Sequence, residues 1–400
     1  MTLSIALATS VLMTSATAQG SDGKYYTDFA TFAEEQAAAE KLAAQIGGEG
    51  IVMLKNLNNA LPLNSSVQNI TLFGGGAYDT VYGGGGSGAG SVSEYQTQKT
   101  IIGSLEEAGF QINPTVREYY ENLENLNTSG SDSMWASAST VRYADLVNNP
   151  NAMDSVSGSY CYYNDAAIIV ISREGSEGSD KSTTTFDNGR TGADYAGTEY
   201  EGVDSHSLEL FPEELELIKH VKAQNFGKII VLLNTSNALE VATLEDDPEI
   251  DGIFWIGNPG AGGLDYLGKI LRGEVNPSGK MVDVYDADHT QDPTWYNFGD
   301  LTQTGDNSGE GSIYYTDENG EVQELAGAAS MFGSSPRQQI EYEEGIYVGY
   351  KWYETAATVD GYYSVDKNSY APGTDRTTAT KDAYYNRTNG VVYPFGYGLS

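Results

Sequence analysis

The sequence is poor in cysteine, histidine and basic residues. Cys161 is the single cysteine among 400 residues, so no disulfide can form within the chain. The three histidines, His206, His220 and His289, show no metal-ligand spacing, and we expect no metal and no cofactor. Only 21 Lys and Arg stand against 56 Asp and Glu, a formal net charge of −35. Nucleic acids and anionic membrane surfaces are therefore disfavoured as partners, because they would repel this chain.

Beyond the N-terminus, the sequence also lacks the run of about 20 apolar residues that a membrane-spanning helix needs. The chain begins MTLSIALATSVLMTSATAQG, an apolar stretch whose Ala16-Thr17-Ala18 ending suits signal cleavage, although no basic residues precede it. We interpret residues 1–18 as a signal peptide or the remnant of a membrane anchor, which is the only membrane contact expected. The body of the protein is then expected to be extracellular, either secreted or at the cell surface.

What the sequence does contain is an alternation of apolar strands and amphipathic helices. Hydrophobic residues make up 40% of the chain, enough for a globular fold with one large or two smaller domains. Strands are predicted at residues 50–56, 69–75, 166–172, 228–234 and 250–257, and helices at 31–47, 99–110, 115–126, 211–224 and 262–273. This order predicts an α/β fold, with a largely parallel sheet and helices on both of its faces.

The stretch ISREGSEGSD, residues 171–180, is the first candidate for a site. It follows the apolar strand DAAIIVIS and carries Glu174, Glu177 and Asp180. Ligands in parallel α/β sheets meet the loops at the carboxyl ends of the strands, so topology places a site here. Crowded carboxylates raise one another's pKa, which suits a general acid. The residues alone favour a solvated acidic turn over a catalytic acid.

A second candidate is the glycine-rich stretch at residues 83–90, which follows an earlier strand. A phosphate-binding loop would end in Gly-Lys-Ser/Thr and lead into a helix, and neither feature is present. The stretch is interpreted as a flexible surface loop, or as bare backbone lying against a ligand or a second domain. A nucleotide-binding α/β protein is accordingly disfavoured.

Six blocks of the sequence resemble, in order, the α/β sandwich domain of family 3 glycoside hydrolases. The blocks are GEGIVMLKNLNNALPL (48–63), IVISREGSEGSD (169–180), IIVLLNTSNALEV (229–241), IDGIFWIGNPGAGGLDYLGKILRGEVNPSGKMVDVY (250–285), EEGIYVGYKWYET (343–355) and VVYPFGYGLS (391–400). The arrangement is similar to a bacterial subgroup in which the sandwich domain precedes the barrel domain.

The resemblance implies a retaining, exo-acting β-glycosidase that resembles β-glucosidases and acts on a β-linked oligosaccharide or glucoside. It marks Glu177 as the acid/base residue, and Glu174 as the second candidate if the register of the loop shifts by three residues. Arg173 and Asp180 belong to the same loop and are predicted to contact the substrate. In this family the nucleophilic Asp lies on a (β/α)8 barrel domain. No barrel is recognisable in the chain, which we interpret as truncated and inactive by itself.

The resemblance also divides the chain into domains. After residues 1–18 come a linker helix (19–47), the α/β sandwich (48–285), a Tyr- and Gly-rich loop extension that packs on the sandwich (286–390), and the start of a fibronectin-type β-sandwich (391–400).

A different class of function is a non-catalytic carbohydrate-binding or cell-surface interaction module. Tyr350, Trp352 and Tyr353 would then stack on sugar rings, although packing between domains also explains them.

Overall fold

A computed structural model describes most of the predicted α/β region and short pieces of the rest. The described residues are 18–19, 25–84, 98–123, 143–175, 181, 186, 190, 192–203, 206–291, 294–295, 314–316, 319–324, 329–330, 333–334, 345–346, 348–353 and 391–400. Among these residues, no helix combines the length and the apolar character that crossing a membrane requires.

The helices begin at residues that suit a helix start. Thr31 caps the first helix by accepting a hydrogen bond from the backbone N–H of Glu34, and Asn113 does the same for the third from Thr115. Proline occupies the first helical position at Pro114 and Pro212. The described helices are α1 (Phe32–Gly50), α2 (Ile101–Glu107), α3 (Pro114–Glu121), α4 (Asp154–Ser157), α5 (Pro212–Lys222), α6 (Ala242–Asp246), α7 (Leu267–Arg272) and α8 (Tyr350–Tyr353).

The strands form one large sheet and several two-stranded ones. The described strands are β1 (Ala18–Gln19), β2 (Tyr25–Tyr26), β3 (Val52–Asn56), β4 (Asn69–Phe73), β5 (Gln111–Ile112), β6 (Ala166–Ser172), β7 (Ile229–Asn234), β8 (Gly252–Trp255), β9 (Tyr285–Asp286), β10 (Tyr314–Thr316), β11 (Val322–Glu324), β12 (Ala329–Ser330), β13 (Gly333–Ser334) and β14 (Val391–Tyr393). The large sheet has the order β3-β8-β7-β6-β4-β5, and every neighbouring pair except β3–β8 is parallel.

Helices cover both faces of this sheet, as the sequence predicts. Side chains of β6 and β7 alternate between two apolar clusters because successive residues of a strand point to opposite faces. One cluster joins Ile169, Ile171, Val231 and Leu233 to α3 and α5 through Val116, Tyr120, Leu217 and Val221. The other joins Ile168, Val170, Ile230 and Leu232 to α2 and α7 through Ile101, Leu105, Leu267 and Leu271. The predicted α/β sandwich is therefore confirmed.

Residues 391–400 pack against the α/β unit. β14 pairs antiparallel with β9, and the backbone N–H of Leu399 donates to the carbonyl of Met53 over 2.8 Å. The Tyr397 hydroxyl donates to the carbonyl of Leu54 from a buried position. The buried residues of this segment, Val391–Pro394 and Tyr397–Gly398, thus pack into the sandwich. The β-sandwich expected to begin here, like the other domain boundaries, stays a prediction.

Candidate active site

The candidate loop leaves the sheet at the edge where the parallel strands end, hereafter the carboxyl edge. β6 ends at the buried Ser172, and the described part of the loop continues through Arg173, Glu174 and Gly175. Glu174 is partly buried. Glu177 and Asp180 lie outside the described residues. The predicted acid/base and substrate-binding roles in this loop therefore stay predictions, while its position at the carboxyl edge is a property of the fold.

Loops from three neighbouring strands meet at this edge. A Cβ atom at Gly84, in the loop that follows β4, would lie 3.1 Å from the carbonyl oxygen of Gly175. A Cβ at Gly175 would lie 3.3 Å from the Ser236 hydroxyl, in the loop that follows β7. The described beginning of the glycine-rich stretch is thus bare backbone packed against the candidate loop. Residues 85–90 lie outside the described part of the chain.

Asn234, the last residue of β7, joins the end of β6 to the loops that follow β4 and β8. Its amide nitrogen donates to the carbonyls of Val81 (2.8 Å) and Gly257 (2.7 Å), and its amide oxygen accepts from the Val81 N–H (2.8 Å) and the Ser172 hydroxyl (3.0 Å). The Asn234 side chain is fully buried, so these bonds satisfy amide atoms that water cannot reach. Asn234 is not among the residues that the sequence singled out. A polar amide that closes the apolar run IIVLLN was the available signal.

Arg173 points into the protein. Its guanidinium forms a two-pronged ion pair with Glu214 on α5, and both side chains are 1% exposed. Further donors reach the carbonyls of Ser172 (3.0 Å) and Glu209 (2.9 Å), and the guanidinium carbon lies 3.5 Å from the centre of the Phe211 ring. These contacts hold the start of the candidate loop on the first turn of α5. The predicted substrate contact of Arg173 stays a prediction.

Arg190 makes the corresponding contact after the candidate loop. It pairs with Glu213, the neighbour of Glu214 on α5, over 2.6 Å, and with Asp145 over 2.9 Å. Burial raises the pKa of the Glu213 carboxyl, against the opposing effect of Arg190. Two arginines 17 positions apart in the sequence therefore bind adjacent glutamates, and both ends of the 174–189 segment are fixed to the same helix turn.

His206, Glu209 and Glu240, whose side chains could bind a metal ion, lie together beside the start of α5. His206 Nε2 is within 3.3 Å of a carboxylate oxygen of Glu209 and 3.2 Å of one of Glu240. Burial raises the pKa of Glu209, and the charges of Glu240 and Asp288 raise it further. No metal was expected here, because the three histidines of the sequence show no metal-ligand spacing.

The aromatic residues proposed to stack on sugars are described only in part. Tyr350 stacks on Phe395 with ring centres 4.7 Å apart, and these side chains are 40% and 45% exposed. The side chains of Trp352 and Tyr353 lie outside the description. This pair is compatible with either sugar stacking or packing between domains.

Comparisons with known proteins agree with this architecture. The sequence profile described as the glycosyl hydrolase family 3 C-terminal domain matches residues 51–350. Beta-glucosidase A of Butyrivibrio fibrisolvens is 26% identical over 372 residues, which cover 92% of this chain and 36% of that protein. A beta-glucosidase of Ruminococcus albus is 24% identical over 358 residues, which cover 90% of this chain and 28% of that protein.

A solved structure shows the same fold. Beta-glucosidase 3B from Thermotoga neapolitana, in complex with glycerol, superposes with a TM-score of 0.54 at 25% identity, covering 85% of this chain and 39% of that one. This chain therefore spans roughly a third of the length of these relatives. Because the family profile covers three quarters of the sequence and the sheet is of the same kind, the chain belongs to the glycosyl hydrolase family 3 C-terminal domain family.

Proposed function

We propose that this chain is the α/β domain of a retaining, exo-acting β-glycosidase that resembles β-glucosidases and hydrolyses O-glycosidic bonds. The substrate class is a β-linked oligosaccharide or glucoside. Family membership supports the proposal, as do the two beta-glucosidases whose matches cover 92% and 90% of this chain. The leader-like N-terminus supports an extracellular or cell-surface location.

The reaction requires two carboxylates about 5–5.5 Å apart, one as nucleophile and one as acid/base. Glu177 is assigned to the acid/base role. It protonates the departing glycosidic oxygen and later takes a proton from the attacking water. The nucleophilic Asp is supplied by a (β/α)8 domain that packs over the carboxyl edge. The observation that carries this assignment is the anchoring of the loop at that edge by Arg173 and Arg190.

The test compares Glu177→Ala with Glu174→Ala in a protein that joins this chain to a (β/α)8 domain of the family. For aryl β-glucosides with poor leaving groups, Glu177→Ala should lower turnover by about 10²–10⁴-fold, the usual contribution of acid/base catalysis. The loss should be smaller for good leaving groups, and added azide should restore turnover because it replaces the activated water. Glu174→Ala is the matched control; if it shows this pattern instead, the acid/base role moves to Glu174.

The 400-residue chain by itself should not hydrolyse aryl β-glucosides, because it supplies one of the two carboxylates. Measurable turnover by the purified chain would contradict this division of the site. A carbohydrate-binding module without catalysis is the alternative, and the exposed Tyr350–Phe395 pair is compatible with it. Calorimetric titration with β-linked oligosaccharides separates the two, since saturable binding without a barrel domain supports the module.

A further inference from the structure

We propose that His206, Glu209 and Glu240 bind a divalent transition-metal cation such as Zn²⁺ or Mn²⁺. Each offers one ligand atom, and the three atoms lie within 4.8 Å of one another. His206 and Glu209 come from the segment that leads into α5, and Glu240 follows β7, so the site lies at the carboxyl edge of the sheet. An imidazole with carboxylates suits zinc and manganese better than calcium, which prefers oxygen ligands throughout. The inference does not depend on the glycosidase proposal.

The distances between the ligand atoms fit a shared ion. Zinc lies about 2.0–2.2 Å from histidine nitrogen and carboxylate oxygen, so two ligands on a tetrahedral ion are about 3.3 Å apart. The His206 nitrogen lies 3.3 Å from Glu209 Oε1 and 3.2 Å from Glu240 Oε1. Little rearrangement is therefore needed to place an ion between the nitrogen and the two oxygens.

The local charge also favours a cation. Glu209 and Glu240 carry two negative charges, and the Asp288 carboxylate lies close enough to act on Glu209. Within the described part of the chain, neither glutamate forms an ion pair with a lysine or an arginine. Both lie next to His206, and Oε1 of Glu240 also accepts a hydrogen bond from the backbone N–H of His289 over 2.7 Å. One imidazole supplies at most a single positive charge. A divalent cation would balance this half-buried group of carboxylates.

The backbone holds the ligands in place before any ion binds. The N–H of Glu240 donates to the carbonyl of Leu208 over 2.9 Å, which joins the two ligand-bearing segments directly. The buried Arg173 donates to the carbonyl of Glu209 over 2.9 Å. The His206 side chain is only 5% exposed, so its ring has little freedom to lose on binding. Preorganisation of this kind lowers the entropic cost of coordination.

A purely hydrogen-bonded cluster is the competing explanation. The backbone N–H of Leu208 points at His206 Nδ1 over 3.3 Å, which favours the tautomer with the proton on Nε2, between the carboxylates. That contact is longer than the usual range for an N–H hydrogen bond, so it constrains the ring weakly. Metal binding moves the proton from Nε2 to Nδ1 and releases the Leu208 contact. The two explanations differ in whether a metal binds and whether binding needs His206.

The experiment titrates the full 400-residue chain, stripped with a chelator, with Zn²⁺ by calorimetry. One ion per chain should bind, and His206→Ala should weaken binding at least tenfold, as expected when a ligand is removed. His220→Ala is the matched control, because His220 lies on α5 against Tyr160 and should leave the affinity unchanged. Bound metal should also raise the melting temperature of the unaltered chain, and not that of His206→Ala.

Two results would overturn the proposal. One is the lack of saturable binding at millimolar metal, which would leave only a hydrogen-bonded cluster. The other is equal binding by the chain and by His206→Ala, which would reflect diffuse attraction to a surface with net charge −35. If His206→Ala fails to fold, Co²⁺ added to the unaltered chain decides the question. Visible absorption bands of a low-symmetry site with nitrogen ligation support the proposal, and the spectrum of hydrated Co²⁺ refutes it.

Discussion

At the scale of single residues, the most constrained feature is the buried Arg173–Glu214 pair. Charged side chains are rarely this buried unless they are paired. Glu214 also accepts hydrogen bonds from the Phe211 N–H (2.8 Å) and the Tyr143 hydroxyl (2.7 Å). Burial raises the pKa of Tyr143, which keeps that hydroxyl a donor. Loss of the arginine would leave the negative charge of Glu214 buried. The remaining hydrogen-bond donors, which are uncharged, cannot compensate it.

Arg173→Met should therefore lower the free energy of unfolding by about 3–5 kcal/mol, the cost of leaving one charge of a buried pair uncompensated. Urea denaturation measures the change. Arg117→Met is the control, since Arg117 pairs with Glu121 on the exposed surface of α3 and should cost less than about 0.5 kcal/mol. Replacing both partners, with Arg173→Met and Glu214→Leu together, should recover much of the loss. If Arg173→Met and Arg117→Met lower the free energy of unfolding by similar small amounts, the structural role assigned to Arg173 is wrong.

At the scale of elements, α5 connects the candidate site to the core. Its first turn carries the two glutamates that anchor the candidate loop, and its inner face packs Leu217 and Val221 against the sheet. Near its other end, His220 contacts the Tyr160 hydroxyl over 3.2 Å. Burial lowers the pKa of His220 below its ordinary value of 6.5, with a smaller opposing effect from Asp154. Folding therefore disfavours the protonated form of this ring.

This arrangement predicts a pH dependence of stability. Since the pKa of His220 is lower in the folded state, the unfolded chain binds the proton more tightly, and stability falls as pH drops below 6.5. His220→Gln should reduce the loss of unfolding free energy between neutral and mildly acidic pH. The change should be a fraction of the about 1.4 kcal/mol that accompanies a full pKa unit, because the ring is only half-buried. Urea denaturation measures the free energy of unfolding of the unaltered chain and of His220→Gln at each pH. If the two curves run parallel, His220 does not cause the loss of stability at low pH.

At the scale of the whole molecule, the C-terminal segment 391–400 packs against β3, near the start of the α/β unit. Tyr397 reaches Leu54 across 343 positions, and the Tyr393 hydroxyl donates to Glu245 over 2.8 Å. Val392 and both tyrosines are buried in the cluster under α3 and α5. Residues 391–399 thus complete the core on one face of the sheet.

Deletion of residues 391–400 should lower the melting temperature by far more than Tyr397→Phe does. The deletion exposes the apolar cluster, whereas the substitution removes one buried hydrogen bond worth about 1 kcal/mol. Thermal unfolding followed by circular dichroism compares the two. Equal shifts would mean that the segment adds nothing to stability beyond that bond.

The sequence predicts much of the fold because the central strands are apolar on both faces. Residues 166–172 were predicted and found as β6, and α5 and β7 lie within two residues of their predicted ends. The antiparallel direction of β3 was not predicted, because an apolar run looks the same in either direction. β5 is two residues long and leaves no periodic signal. The position of the candidate site follows from the topology. The burial of Glu213 and Glu214 was not predicted, since acidic residues in the first turn of a helix usually face solvent.

The sequence by itself determined the α/β class, the family and the loop that bears the candidate carboxylates, because all three depend on local patterns and motif order. Only the tertiary structure decided which groups meet at the carboxyl edge. Long-range packing joins Arg173 to Glu214, Asn234 to the end of β6 and the loops after β4 and β8, and His206 to Glu240. These partners lie 23 to 153 positions apart, and no pattern along the chain records such pairings. Burial then sets their strength, since an unmet charge or polar group inside the protein is far more costly than one at the surface.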